Sequence, residues 1–192
     1  MTPYGLGYIP DKEDGRDHAL SLAAPAKLPA LIDLRGNRNY PAAYDQGQIG
    51  SCVGNAVAFA VSHALHIPAA SSTFSQLSRL QIYYGARDLE GNAGQDVGCQ
   101  LRDAIKVVAK QGVVDEALWD YESAHVFTPP PAEIIAAGAG HAAVQYARLL
   151  PDVDMICTAL ASGHPVVFGT MVYPSFLSDE VRRTGNVPMP EI

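Results

Sequence analysis

The chain of 192 residues is long enough for one domain, or for two small lobes that share an interface. Its net charge of −7 and the lack of any Lys/Arg run argue against nucleic acid or an anionic membrane as the main partner. Hydrophobic residues make up 48% and charged residues 17% of the sequence, which excludes a largely disordered chain.

Residues 1–27 are interrupted by Gly and Pro, carry a charged cluster at 11–17 and have no helical or strand period. This pattern predicts an extended leader, which either covers a cleft as a propeptide would or is only a surface strap. No signal peptide and no apolar stretch of membrane-spanning length are visible. The default expectation is therefore a cytoplasmic protein, with export by a route without a cleaved signal left open.

Residues 45–52 place a glutamine and a turn of small residues before a cysteine at the start of an apolar helix. A helix N-terminus favours thiolate over thiol at Cys52. Gly47, Gly50 and Ser51 allow a tight turn that faces an N–H group toward a developing oxyanion, and Gln46 can add a side-chain N–H. The pattern indicates an activated nucleophile, although an inert buried cysteine on an apolar helix is the commoner case in isolation.

The apolar spacing after Cys52 predicts a helix that ends by Pro68 and has one long buried stripe, listed as Val53, Ala56, Val57, Ala60, Val61, Ala64 and Leu65. A second helix is predicted over 75–87, and a third over 101–111 with Gly112 as its C-cap. After the prolines at 129–131 we predict a helix at 132–137, a strand at 143–149, a helix at 152–162 and a strand at 166–172. Helices first and strands later favour an α+β fold.

The motif formed by Gln46, Gly47, Gly50, Ser51 and Cys52 resembles the nucleophile motif of papain-like cysteine peptidases. Further landmarks follow in that family's order: residues 28–35 resemble the start of the mature enzyme, 94–104 with 111–113 the cleft wall and its helix, 119–121 a Trp-Pro-Tyr segment, and 163–168 a strand of the second lobe. The sequence departs from the family at Ile49, where those enzymes keep a disulfide cysteine, and at Val53, where they keep a tryptophan. Both departures point to a bacterial or viral type.

The resemblance implies a two-lobe fold within residues 28–192. The helical lobe would span about 45–130, and a β-barrel-like lobe, incomplete within this chain, would use the N-terminal arm and about 131–192. It also implies hydrolysis of a peptide or protein substrate through a thioester on Cys52, without a cofactor. Gly98 lets the backbone approach an extended substrate, and Cys99 beside it either lines the cleft or is inert.

The other chemically active residues give weaker signals. The cysteines at 52, 99 and 157 have no C-x-x-C spacing, which excludes a disulfide scaffold and a zinc ribbon, and no histidine has metal-ligand spacing beside a cysteine or carboxylate. We expect Cys157 to be a buried small hydrophobe and Asp96 to form a turn or cap rather than act as a catalytic acid.

The family's base histidine would follow the strand at 163–168, and its orienting asparagine would come later still. Neither is found by residue 192, so we expect both in a missing C-terminal part, and the expected partner of the chain is that missing fragment or a swapped copy of the chain itself. His141 lies in a similar local segment but precedes that strand, so an ordinary helix-end or loop role is expected. His63 and His66 are several turns from the thiol and are expected at the surface or the lobe interface, while His125 and His164 have no evident task.

Two alternative functions stay open at this stage. A non-catalytic peptide-binding or regulatory homologue would explain the missing histidine, but it would need neither Gln46 nor Cys52. An acyltransferase or deamidase on the same fold would share the acyl-enzyme and differ in what attacks it.

Overall fold

The computed structural model describes residues 5–15, 17, 20, 27–35, 43–66, 76–142 and 145–190. The elements in chain order are β1 (Tyr8–Ile9), α1 (Cys52–His66), α2 (Arg79–Leu89), β2 (Cys99–Gln100), α3 (Leu101–Gln111), α4 (Ala132–Ala137), α5 (Val153–Ala161) and α6 (Asp179–Thr184). Short 3₁₀ turns lie at Ser123–Val126, Gly138–His141 and Pro174–Leu177.

The buried core lies where α1, α2 and α3 pack together. Val57 of α1, Leu80 and Ile82 of α2, and Val108 of α3 are all at most 1% exposed. Each buried side chain of this size contributes about 1.5–3 kcal/mol of hydrophobic stabilisation. The first two helices approach closely at Gly54, where a Cβ would lie 2.6 Å from the backbone oxygen of Arg79.

The helix predicted from Cys52 is confirmed, and its predicted buried stripe is confirmed in part, since Val53 and Val57 are buried and Val61 and Leu65 pack against the core. Ala56 and Ala64 are exposed, whereas Ala58 is completely buried. The reason is that α2 packs on the side of α1 that carries Gly54, which rotates the buried stripe around the helix. Pro68, the predicted stop, lies outside the described residues.

The second helix begins later than predicted. It runs over Arg79–Leu89 with Ser78 as its N-cap, and Ser75 lies outside the described residues. The preceding backbone is held in an extended form because Leu77 forms an antiparallel bridge with Asp115 and the Ser78 N–H donates to the Val114 oxygen over 2.8 Å. Pairing with a distant segment therefore delays the start of the helix.

The remaining predicted helices are confirmed. α3 ends at Gly112, whose φ of +72° and N–H bond to the Val108 oxygen make it the C-cap. α4 has the predicted bounds, and α5 is flanked by Asp152, which caps its first turn, and by Ser162.

The two predicted strands are wrong. Within the described residues, neither 145–149 nor 166–172 forms a regular strand, and residues 143 and 144 lie outside them. Across all of the described residues, the one sheet is the parallel pair β1–β2. Apolar, β-branched sequence alone does not make a strand without a backbone partner, and Phe168 in the second segment is 73% exposed.

Candidate active site

Cys52 is the first residue of α1 and is a partly buried free thiol. The loop before it is shaped by local contacts. The Asp45 carboxylate accepts a hydrogen bond of 2.8 Å from the Gly47 N–H, and Gly47 has a φ of +57°, which favours glycine. The sequence-predicted turn therefore delivers the cysteine to the helix N-terminus.

Gln46, the predicted oxyanion donor, has its side-chain amide engaged with backbone carbonyls. Its Nε2 donates to the Gly5 oxygen over 2.6 Å and to the Ile49 oxygen over 3.0 Å. The contact with Ile49 is within the same loop and fixes the side chain. The contact with Gly5 reaches the leader, so a carbonyl oxygen from elsewhere in the chain already occupies this donor.

The leader runs between the nucleophile loop and β2. The Cys99 N–H donates to the Gly7 oxygen over 2.9 Å, and Tyr8 pairs with Cys99 in parallel register. Gly98 has a φ of +82°, and a Cβ there would overlap the Gly7 carbonyl, while a Cβ on Gly7 would overlap Gly50. Glycine at these positions allows an extended chain to run closely between the nucleophile loop and β2. We call the space between these two walls the passage.

The two predicted substrate-binding residues differ in which groups face this passage. Cys99 offers its backbone N–H, but its side chain is completely buried, and burial raises the pKa of its thiol. Gly98 turns its own N–H inward to the Tyr83 hydroxyl over 3.0 Å. A substrate role for this pair would therefore run through backbone at Cys99 and through the absence of a side chain at Gly98.

Asp96 joins the two walls of the passage. Its carboxylate accepts the Gly50 N–H at 3.0 and 3.1 Å and the Tyr83 hydroxyl at 2.5 Å. Tyr83 is completely buried, and burial followed by the bond to Asp96 raises the pKa of its hydroxyl. We call Asp96, Tyr83 and their bonds to Gly50 and Gly98 the Asp96 brace. The contacts of Asp96 hold two loops together and are not those expected of a catalytic acid.

A second set of polar residues also holds the nucleophile loop. Arg79 is paired with Glu116 through two contacts of 2.7 Å and donates to the Asn55 oxygen over 2.9 Å. The Asn55 amide in turn donates to Ser51, whose hydroxyl lies 2.5 Å from that of Tyr121. We call these five residues the Arg79 cluster. Its Tyr121 hydroxyl also donates to the Gln46 oxygen over 3.1 Å, so the cluster holds both ends of the nucleophile motif.

Three of the described histidines are placed by contacts or burial that suit a structural role. His141 ends a 3₁₀ turn with its Nδ1 3.2 Å from the Val113 oxygen, as expected for an ordinary helix-end residue. His125 stacks on Trp119 at 3.9 Å and lies 2.8 Å from Asp120. His63 is 3% exposed and lines a groove between α1 and residues 165–168, which places it at the predicted lobe interface rather than at the surface. Nothing is described of the His66 side chain.

Two other kinds of functional element are absent from the described residues. In that part of the chain no group of three or more His, Cys, Asp or Glu side chains is placed to hold a metal ion. None of its helices is both long and apolar enough to cross a membrane.

Comparisons with known proteins identify the family of the chain. The chain is 36% identical to a peptidase C1-like protein of Acanthamoeba polyphaga mimivirus, over 97% of this chain and 67% of the viral protein. Among solved structures it is similar to xylellain, a cysteine protease from Xylella fastidiosa, with a TM-score of 0.74 and 34% identity. That match covers 83% of this chain and 63% of xylellain, so the chain spans less than two thirds of that protein. No family model matches the sequence.

The chain belongs to the papain-like cysteine peptidases and has their α+β fold. The sequence resemblance is thereby confirmed. The roles of individual site residues stay predictions.

Sequence reasoning missed the residues that hold the loop in place. It treated Asp96 as a local turn residue and gave no role to Tyr83 or to Arg79. The sequence contained a signal for Arg79, because this residue directly precedes Leu80 in a predicted helix. A charged side chain that is buried at such a position needs a partner. Its partner Glu116 lies 37 residues away, and nothing in the sequence pairs the two.

Proposed function

We propose that this chain carries the nucleophile part of a peptidase that hydrolyses peptide bonds through a thioester on Cys52. One observation carries the proposal: Cys52 opens α1 directly after a loop whose Gln46 amide donates to the Gly5 carbonyl of the leader. The Gly5 carbonyl stands in for the carbonyl of a substrate at that donor. The similarity to a cysteine protease supports the same reaction class.

In the proposed reaction the Cys52 thiolate attacks the scissile carbonyl carbon, forming a C–S bond while the carbonyl electron pair moves onto oxygen. The Gln46 amide and the N–H groups at the start of α1 stabilise that oxyanion. The C–N bond then breaks, and the leaving amine takes a proton from a base histidine. Water attacks the thioester, the histidine takes its proton, and the acid product leaves as the thiolate is restored.

We place the base histidine outside these 192 residues. His125 and His141 are both engaged in contacts with other parts of the chain, and His63 lies several turns along α1 from the thiol. The base would come from a C-terminal remainder. We call the chain with such a remainder, bearing a Gly-His-Ala-Val-like segment, the extended form.

We further propose that the leader lowers access to Cys52. Residues 5–9 lie where an extended substrate would pair with Cys99, and the Gly5 carbonyl takes the Gln46 donor. A peptide substrate must displace this segment to reach both groups. The leader would then act as a propeptide rather than as a surface strap.

The test of hydrolysis compares the two forms with a mixed peptide library. The 192-residue chain should cleave negligibly, and the extended form should cleave with a rate that Cys52→Ala abolishes. Gln46→Ala should lose about 100- to 1,000-fold in kcat, the usual worth of one oxyanion donor. Normal turnover after Cys52→Ala in the extended form would end the peptidase proposal.

The same assay separates the alternatives. Full activity of the 192-residue chain would place the base among its own histidines, with His141 the first to be replaced. Binding of peptides without any Cys52-dependent product would favour a regulatory homologue. A product carrying an added amine in place of hydrolysis would favour an acyltransferase.

A further inference from the structure

We propose that Asp96 is a positioning residue, which fixes the nucleophile loop against the cleft wall by bonding the Gly50 N–H and the Tyr83 hydroxyl together. The inference rests on the proposed function, because positioning has a kinetic meaning only if Cys52 is the nucleophile. It concerns the Asp96 brace and no residue that touches the substrate.

The first step is the place of Gly50. It lies two residues before Cys52, and its N–H is directed at both oxygens of the Asp96 carboxylate, at 3.0 and 3.1 Å. This bond sets the orientation of the peptide plane that leads into α1. It also removes the Gly50 N–H from the groups that could stabilise an oxyanion, so the Gln46 amide and the N–H groups at the start of α1 are left for that task.

The second step is the other end of the brace. The Tyr83 hydroxyl donates to Asp96 over 2.5 Å and accepts the Gly98 N–H over 3.0 Å. Tyr83 belongs to α2 in the packed core and is 0% exposed, so its hydroxyl is a fixed anchor. Asp96 is itself at the surface, which leaves these bonds as the means of holding it.

The third step is the tightness of the junction. A Cβ at Gly50 would lie 3.0 Å from the Asp96 oxygen, 3.3 Å from the Tyr83 hydroxyl and 3.6 Å from the Gly98 nitrogen. The nucleophile loop, the Asp96 brace and Gly98 of the cleft wall therefore lie so close together that one added carbon at Gly50 would contact all of them. A displacement of Asp96 is transmitted to the residues on both sides of it, and catalysis is sensitive to shifts of this kind.

The structural half of the test uses the 192-residue chain and amide hydrogen exchange read by NMR. Asp96→Ala should accelerate exchange at Gly50 by about tenfold or more, since it removes a hydrogen bond to a charged acceptor. Tyr83→Phe should do so at Gly98. The matched controls are Asp88→Ala, an exposed aspartate on α2, and Tyr84→Phe, the next tyrosine on that helix. These should leave both amides unchanged.

The kinetic half uses the extended form. Asp96→Ala should lower kcat by about 10- to 100-fold, the equivalent of one charge-assisted hydrogen bond, with KM within a few fold of the parent. The double variant with Tyr83→Phe should lose less than the product of the two single losses, because both changes break the contact between Asp96 and Tyr83. If Asp96→Ala fails to fold, Asp96→Asn keeps the size of the side chain, removes its charge and should show a smaller loss in kcat.

The outcomes separate this inference from the proposed function. A parent extended form without hydrolysis defeats the proposed function, and exchange at Gly50 then decides the brace: acceleration supports it and unchanged exchange overturns it. With an active parent, a folded Asp96→Ala variant with normal kcat overturns the positioning role whatever the exchange shows. A rise in KM at constant kcat also overturns it, because that result would assign Asp96 to substrate binding.

Discussion

The helical part of the molecule, made of α1, α2 and α3, differs sharply from residues 145–190. Residues 53–126, which contain these helices, hold all of the buried hydrophobic side chains of the described residues except Ala159, which belongs to the later region. In that later region Phe168, Met171 and Met189 are 73%, 72% and 88% exposed. The nucleophile loop is held by the Asp96 brace and the Arg79 cluster, and both belong to the helical side. These contacts therefore hold the loop that carries Cys52 from the helical side.

Removing one partner of an ion pair in each region should give the largest difference. Arg79 and Glu116 are 8% and 12% exposed, so Glu116→Ala leaves a buried guanidinium without its partner and should cost about 3–5 kcal/mol of unfolding free energy. Glu180→Ala breaks the pair with Arg183, which is 72% exposed, and should cost at most about 1 kcal/mol. Urea unfolding with an unchanged m-value measures both, and equal losses would contradict the comparison.

A leucine truncation in each region sharpens the same contrast in apolar terms. Leu80 is 1% exposed and Leu150 is 61% exposed. Leu80→Ala should destabilise the chain by about 2–5 kcal/mol through lost burial and a residual cavity. Leu150→Ala should stay within about 0.5 kcal/mol of the parent. A comparable loss at both positions, measured by thermal or urea unfolding, would mean that residue 150 is buried in solution.

One residue of the leader, Asp17, contacts both the helical part and residues 145–190. Asp17 accepts contacts of 2.6 Å from Arg102 on α3 and 2.8 Å from Arg148 in the later region. If this pairing holds residues 5–9 in the passage, Asp17→Asn should speed iodoacetamide labelling of Cys52 several-fold, and deletion of residues 1–27 should speed it more. The control Asp154→Asn, on the first turn of α5, should not change the rate. Equal rates with and without the leader would reduce it to a surface strap.

Acidification should release the same contact in a defined direction. The side-chain bonds from Arg102 and then Arg148 lower the pKa of Asp17 from its ordinary 3.8. Because the docked value is the lower one, docking is fully stabilised above the ordinary value and is lost as the pH falls through the lowered value. An NMR titration of the Asp17 carboxyl carbon should have its midpoint below 3.8, and Arg102→Met should raise that midpoint. An unmoved midpoint in the variant would contradict this pairing.

The helices of this fold could be predicted because their signals are local. The period of apolar residues located α1 and α3, and Gly112 marked an end without reference to the rest of the chain. The start of α2 failed because Leu77 pairs with Asp115, a partner that no local pattern names. The strand at 166–172 failed for the same reason, since a strand needs a neighbour as well as a suitable composition.

The site could be predicted only in its reactive residues. Cys52 and Gln46 were predicted from a short motif, since their proposed chemistry depends on spacing along the loop, and their roles stay predictions. The supports were not, because Arg79 and Tyr83 act through contacts with residues 37 and 13 positions away. Family resemblance supplied what the local pattern did not, namely the order of distant landmarks.

The Asp96 brace has a consequence for the redox behaviour of the protein. Papain-like peptidases keep a disulfide cysteine at the position of Ile49, whereas here all three cysteines are free. A catalytic thiol must stay reduced to act, and the reductants that keep it so also attack a disulfide. A carboxylate that bonds a backbone N–H and a phenol is inert to reductants. If Cys52 acts as proposed, the conditions that keep its thiol reduced therefore leave the contacts of the Asp96 brace intact.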